Sequence, residues 1–148
     1  MIWKDLKIII VNDDTDYGTS LQLHLFRNQI KQVDVYHSAV ECLRSSEQIP
    51  DVIFVEHKMS EIDGARASRM FKRKWKHVRI ILISSSIRAK KRINRRKFGI
   101  DNIVDKSINF EEVVNEIKIY KYQRWFKSIQ YLLFAVITLS LLRYLFHL

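Results

Sequence analysis

Residues 54–64, FVEHKMSEIDG, carry an acid, Glu56, straight out of an apolar run and into a charged loop. Ile53, Phe54 and Val55 in front of it read as the end of a buried strand, because strands covered on both faces are continuously apolar rather than alternating. Asp63 and Gly64 then shape the loop and open a helix. The tip of a core strand is an expensive place for a carboxylate, so the acid needs a reason to be there.

The segments on either side repeat this pattern. LKIIIV at 6–11 is a β-branched run followed by a helical segment at 14–29, with Leu21, Leu25 and Phe26 at helical spacing. QVDVYH at 32–37 is a short strand, after which Ser38 and Glu41 form a capping box for a helix to about Ser46. DVIFV at 51–55 is the third strand and 63–75 the third helix. VRIILIS at 78–84 is the fourth strand, and IRAKKRINRRKFG at 87–99 a basic helix ending on Gly99 as its C′ residue. DNIVDK at 101–106 is a short fifth strand, and Asn109 with Glu112 caps a last helix. Five strands alternating with helices predict an α/β doubly wound, five-stranded parallel sheet covered on both faces. Ligands in that class gather at the carboxyl ends of the strands.

Those ends carry Asn12 and Asp13, Glu56, Ser84 and Lys106 in strand order. Clustered carboxylates suit Mg²⁺, a hard cation that takes oxygen ligands, here Asp13 and Glu56. A hydroxyl and an ammonium suit phosphoryl oxygens. His57 and the serines do not suggest a hydrolase triad in such a fold, and His24 and His37 lack metal-ligand spacing.

With IIIVNDD, PDVIFVEHKMSEIDG, IILISS and IVDKS in these places, residues 5 to about 120 resemble the receiver domain of two-component response regulators, a flavodoxin-like fold. The resemblance implies a phosphoacceptor at the end of strand three, loaded by a histidine kinase with Mg²⁺ bound, and that position is Glu56. The family's acceptor is aspartate. Glutamate pushes its carboxylate about 1.5 Å, one C–C bond, into the space of the phosphoryl group. Phosphoryl transfer depends on positioning, and an error near 1 Å costs about a hundredfold. Asn12 replaces one acid of the usual pair, Ser107 replaces a frequent proline, and Ile103 stands where the switch aromatic is usual. Asp14 is expected chiefly to cap helix one and only secondarily to make good the charge missing at Asn12. The resemblance therefore implies a pseudo-receiver, with little or no phosphorylation and weak Mg²⁺ binding at best.

The formal net charge is +10, and from Gly64 to Ile100 there are 14 Lys and Arg residues and no acid. RAKKRINRRK at 88–97 holds seven of these cations, with Lys90, Lys91, Arg92, Arg95, Arg96 and Lys97 as an anionic-surface contact, joined by Lys72, Arg73, Lys74 and Lys76. Sequence-specific DNA reading is not expected, since no helix-turn-helix accompanies the domain.

Residues 128–142 carry no charge, and Arg143 is the sole formal charge to Leu148. Fifteen helical residues span about 22 Å and twenty-one about 31 Å, against roughly 30 Å of hydrocarbon. Lys118, Lys121, Arg124 and Lys127 precede the run, with Trp125, Phe126 and Tyr131 at its edge. That order predicts a receiver-like domain at 1–120, a basic juxtamembrane segment at 121–127 and a transmembrane tail at 128–148, with the domain on the cytoplasmic side of the inner membrane. The competing reading is a soluble homodimer through the tail. A single cysteine, Cys42, excludes an internal disulfide, and no signal peptide is visible.

The expected function is a non-enzymatic signalling or adaptor module at the membrane, touching partners such as a histidine kinase or another receiver. The alternatives are a working phosphoacceptor in a phosphorelay and a basic, non-specific nucleic-acid-binding protein.

Overall fold

The structure, a computed structural model, describes residues 5–106 and 110–146, apart from the side chains of Ile87, Ala89 and Lys90. The expected cap Asn109, Ser107 and the side chain of Lys90 thus lie outside the described residues. The chain divides into one unit to Val114 and a second from Asn115.

In the first unit, β1 (Lys7–Val11), β2 (Gln32–Tyr36), β3 (Val52–Glu56), β4 (Arg79–Ser84) and β5 (Asn102–Asp105) form one parallel sheet in the order β2-β1-β3-β4-β5. Ile10 lies opposite Phe54, and Glu56 opposite Ile83. Every residue of β3 is buried, Glu56 included. Successive strand residues face opposite sides. Ile9, Val11, Ile53, Val55, Ile80 and Leu82 form one cluster with Ala39 and Cys42 of α2 (Ala39–Ser45) and Phe71 of α3 (Gly64–Lys74). The alternate set, including Ile8, Ile10, Phe54, Ile81 and Ile83, is fully buried on the other side. Leu21 and Leu25 of α1 (Thr15–Arg27), which contacts β1 and β2, are equally buried. Burial pushes the Cys42 thiol up to about 12, so it packs as a small hydrophobe.

Local chemistry explains the helix starts. Asp14 caps α1 by accepting from the Tyr17 N–H, and Asp63 caps α3 by accepting from the Ala65 N–H. Ser38 accepts from the Glu41 N–H, but the Glu41 carboxylate reaches back to the His37 N–H rather than that of Ser38. Two expectations are corrected. Phe26 is exposed, since it falls beside the Leu21–Leu25 stripe rather than in it. The basic segment 87–99 is two short helices, α4 (Ile87–Arg92) and α5 (Arg95–Phe98), because the Asn94 side chain caps a new start by accepting from the Lys97 N–H. Gly99 ends α5 at φ 69°, the left-handed conformation expected of it.

The last helix, α6, runs without a break from Glu111 to Phe146. In the second unit its large apolar residues from Tyr131 to Phe146 are exposed, Leu132, Phe134 and Leu139 each by about two thirds. The Ser128 and Thr138 hydroxyls donate back to carbonyls of their own helix, so neither needs water. It is the one described helix long and apolar enough to cross a membrane, by length and composition.

Gly64 sits where α3 begins against the end of β3. A Cβ there would stand 2.1 Å from the Glu56 carbonyl oxygen and 2.9 Å from Leu82 Cδ1, inside van der Waals contact with a backbone atom that cannot retreat. Gly64→Ala should therefore cost about 3 kcal/mol in denaturant unfolding. A loss below about 0.5 kcal/mol would show that the β3–α3 junction is less tightly held.

Candidate functional site

The parallel sheet brings the carboxyl ends of β1, β3, β4 and β5 to one edge, and the predicted residues meet there in two groups. Glu56, 4% exposed, is the centre of the first. Its Oε2 lies 3.1 Å from Lys106 Nζ and accepts from Asn12 Nδ2 at 3.3 Å. Lys106 is shared: Nζ is also 3.4 Å from Asp14 Oδ2 and stands 4.8 Å over the Tyr17 ring. Burial lowers the Lys106 pKa, but the hydrogen bond and charge of Glu56, with those of Asp14, outweigh it and hold the ammonium above its ordinary 10.5. Burial, with the nearby charges of Glu56 and Asp14, pushes the Tyr17 hydroxyl upward.

Tyr17 is a member that nothing in the sequence marked, and Asp14 is one expected there chiefly as a cap. Asp14 does cap α1, and the N–H of Tyr17 that it accepts lowers its own pKa, with Lys106 adding to the effect. Its second oxygen turns to Lys106, however. The sequence signal for this was a second acid, after Asp13, in the loop following β1; Tyr17 offered none.

Asp13 faces elsewhere. Its Oδ2 accepts from the Ser60 N–H at 2.8 Å, tying the β3–α3 loop across to the loop after β1. Asn12 Oδ1 accepts from the Asp14 N–H at 2.9 Å, which folds that loop back on itself. Among the described residues no group of three or more His, Cys, Asp or Glu side chains gathers to hold a metal. A Mg²⁺ ion here would have to compete with Lys106 for Glu56 and with the Ser60 N–H for Asp13.

Ser84 belongs to the second group. Its Oγ, 1% exposed for the residue, is 3.1 Å from His57 Nδ1 and accepts from the Ser86 N–H at 3.2 Å. His57 Nε2 lies 3.6 Å from Asp63 Oδ2. A Ser–His–Asp alignment is thus present, contrary to the reading of the sequence. It lacks a nucleophile that substrate can reach, because Ser84 is buried, and the His–Asp separation exceeds a hydrogen bond. The Lys106 N–H donates to the Ser84 carbonyl at 3.0 Å, but among the described residues no hydrogen bond joins the Ser84 hydroxyl to the Glu56 or Lys106 side chain.

The cations divide as well. Lys91, Arg92, Arg95, Arg96 and Lys97 are exposed on α4 and α5. Lys72 is not part of that surface in the way expected: it pairs with Asp101 at 3.0 Å and donates to the Val78 carbonyl. Lys74 donates to the Leu43 and Ser46 carbonyls and lies 4.6 Å over the Trp75 ring. Asp101 thus supplies for Lys72 the neutralisation that helix spacing could not, while Lys74 is held by neutral carbonyls.

Removing one partner of a buried ion pair leaves the other uncompensated. Lys106→Met should cost about 3 kcal/mol in denaturant unfolding, while Glu56→Gln/Lys106→Met costs clearly less than the two single changes added together. Additive losses would mean that the pair does not interact. Because the Lys106 pKa is raised by folding, its contribution is whole below its ordinary 10.5 and fades as pH climbs through the higher folded-state value. The gap between wild type and Lys106→Met should narrow there.

The family profile described as the response regulator receiver domain matches residues 8–118. The response regulator TrrA of Thermotoga maritima, solved in complex with Mg²⁺–BeF, has a TM-score of 0.69 at 22% identity, covering 78% of this chain and 98% of its own. The chemotaxis response regulator CheY4 of Vibrio cholerae has a TM-score of 0.68 at 16% identity, covering 78% of this chain and 98% of its own. The BeF3-activated DrrB receiver domain, from a Thermotoga maritima protein, has a TM-score of 0.70 at 20% identity, covering 79% and 97%. At these identities the structures bear on the fold alone. No curated protein matches the chain. The match over residues 8–118, three quarters of the chain, is decisive: this protein belongs to the response regulator receiver domain family.

Proposed function

We propose that this receiver domain is a fixed adaptor rather than a phosphorylation switch, held at a membrane by its apolar tail. The 3.1 Å contact between Glu56 and Lys106 carries the reading. An acid one methylene longer than aspartate already reaches the strand-five lysine, filling the space where a phosphoryl group would bind. Asn12 donates to the same oxygen, so it too is committed to the carboxylate. Mg²⁺ binds weakly at best, with Asp13 and Glu56 as its ligands. The domain signals by contact with another protein, a histidine kinase or a second receiver among the candidates, and catalyses nothing itself.

The tail reading draws on exposure all round the helix. Tyr131, Leu132, Leu133, Phe134, Val136, Ile137 and Leu139 are all exposed and, at about 100° per residue, fall on every side of α6, whereas a dimer seam would hide one stripe only. Residues 1–120 then form the cytoplasmic domain, 121–127 the basic flank and 128–148 the span in the inner membrane. Lys118, Lys121, Arg124 and Lys127 mark the cytoplasmic side.

Intact-mass analysis of the detergent-solubilised chain, after incubation with Mg²⁺ and acetyl phosphate, should show no phosphate adduct. Glu56→Asp, which withdraws the carboxylate by one methylene, should gain one. An adduct on the wild type that disappears in Glu56→Gln would make this a working receiver. Alkaline carbonate and high salt should leave the chain in the membrane pellet; release by either would point to the dimer.

A further inference from the structure

Beside the receiver pocket, on the other side of His57, lies a cavity of about 640 Å³. That volume is in the range of small-molecule sites. Both short basic helices wall it: Arg88 and Arg92 from α4, Lys97 from α5, with Asn94 of the break between them. His57 and Ser86 add polar groups, and Ala65, Ile93 and Phe98 give it an apolar side.

Its charge is one-sided. Asp63 is the single acid in the lining, and it is already engaged, with Oδ1 accepting from the Ala65 N–H and Oδ2 facing His57 Nε2. Arg88 and Arg92 stand four residues apart, one turn of α4, and like charges at that spacing repel. No acid occurs between Gly64 and Ile100 to separate them. A bound anion would remove that repulsion.

We propose that this cavity binds a small phosphomonoester, with the phosphate held by Arg88, Arg92 and Lys97 and the carbon portion against Ile93 and Phe98. A phosphomonoester carries about −1.5 to −2 at neutral pH, which balances two or three cations. Guanidinium groups fit it better than ammonium groups because their planar fork donates two parallel hydrogen bonds to phosphate oxygens. A carboxylate offers half the charge and leaves one arginine unmatched. The break at Asn94 gives the site its shape, since it lets two helices rather than one supply the cations. The site is separate from Glu56 and Lys106, so it stands whether or not Glu56 can be phosphorylated.

Two sources share this chemistry: a soluble phosphorylated metabolite and the headgroup of an anionic lipid. Isothermal titration of the full chain in non-ionic detergent, which covers the apolar tail, would use adenosine 5′-monophosphate and glycerol 3-phosphate as soluble probes. Micelles doped with phosphatidic acid are the lipid arm. Saturable binding in either arm is the expected result, and which arm binds more tightly identifies the source. Arg88→Gln/Arg92→Gln should weaken it by about tenfold or more. Arg66→Gln/Arg69→Gln, which removes exposed cations of α3 outside the cavity, should change it by less than about twofold. Equal weakening by both pairs would reduce the effect to a diffuse basic surface, and failure of all three probes to bind saturably would overturn the proposal.

Discussion

The Glu56–Lys106 ion pair is the contact around which the strand-end site is organised. A carboxylate buried at the tip of β3 without a partner would cost several kcal/mol, more than a domain of this size can spare. Lys106 stands 3.1 Å away because β5 is placed beyond β4 in a parallel sheet, which sends every strand end to the same edge. The neighbouring groups follow from the pair. Asn12 donates to the same oxygen, Asp14 shares the ammonium, and Gly64 lets α3 start directly against the Glu56 carbonyl.

What was legible in the sequence had a strong local cause. Runs such as IIIV and VIFV announce strands buried on both faces, and their alternation with helices yields the parallel sheet and the line of residues at its edge. Asp14, Ser38 and Asp63 were readable as caps because capping is a contact within three residues. The split of 87–99 was hidden because its cause is one polar side chain, Asn94, in a segment otherwise suited to a helix. Phe26 was misplaced because one residue of rotation separates a buried stripe from an exposed one. The orientations of Asp13 towards Ser60 and of Ser84 towards His57 depend on loops 47 and 27 residues away in sequence, which no local pattern encodes.

Charge shows the same limit. The excess of cations between Gly64 and Ile100 is plain in the sequence, but which of them are committed is a tertiary matter. Lys72 and Lys74 serve carbonyls and Asp101, while the described cations of α4 and α5 are exposed and three of them line a cavity. The tail is the opposite case: its apolar surface is continuous along the helix, so composition alone describes it. On the proposed reading, in which Lys106 closes the switch position, the chain's distinctive chemistry lies in its basic surface and its apolar tail rather than in the family's usual pocket.

The most direct test of the closed pocket is fluorine-19 NMR of the full chain in detergent with Mg²⁺ and beryllium fluoride, whose trifluoride stands in for a phosphoryl group. With Glu56 and Lys106 already paired, no protein-bound beryllium trifluoride signal should appear. A bound signal that disappears in Lys106→Met would show that the pair opens to accept a phosphoryl-like group, and the account of a fixed receiver would be wrong.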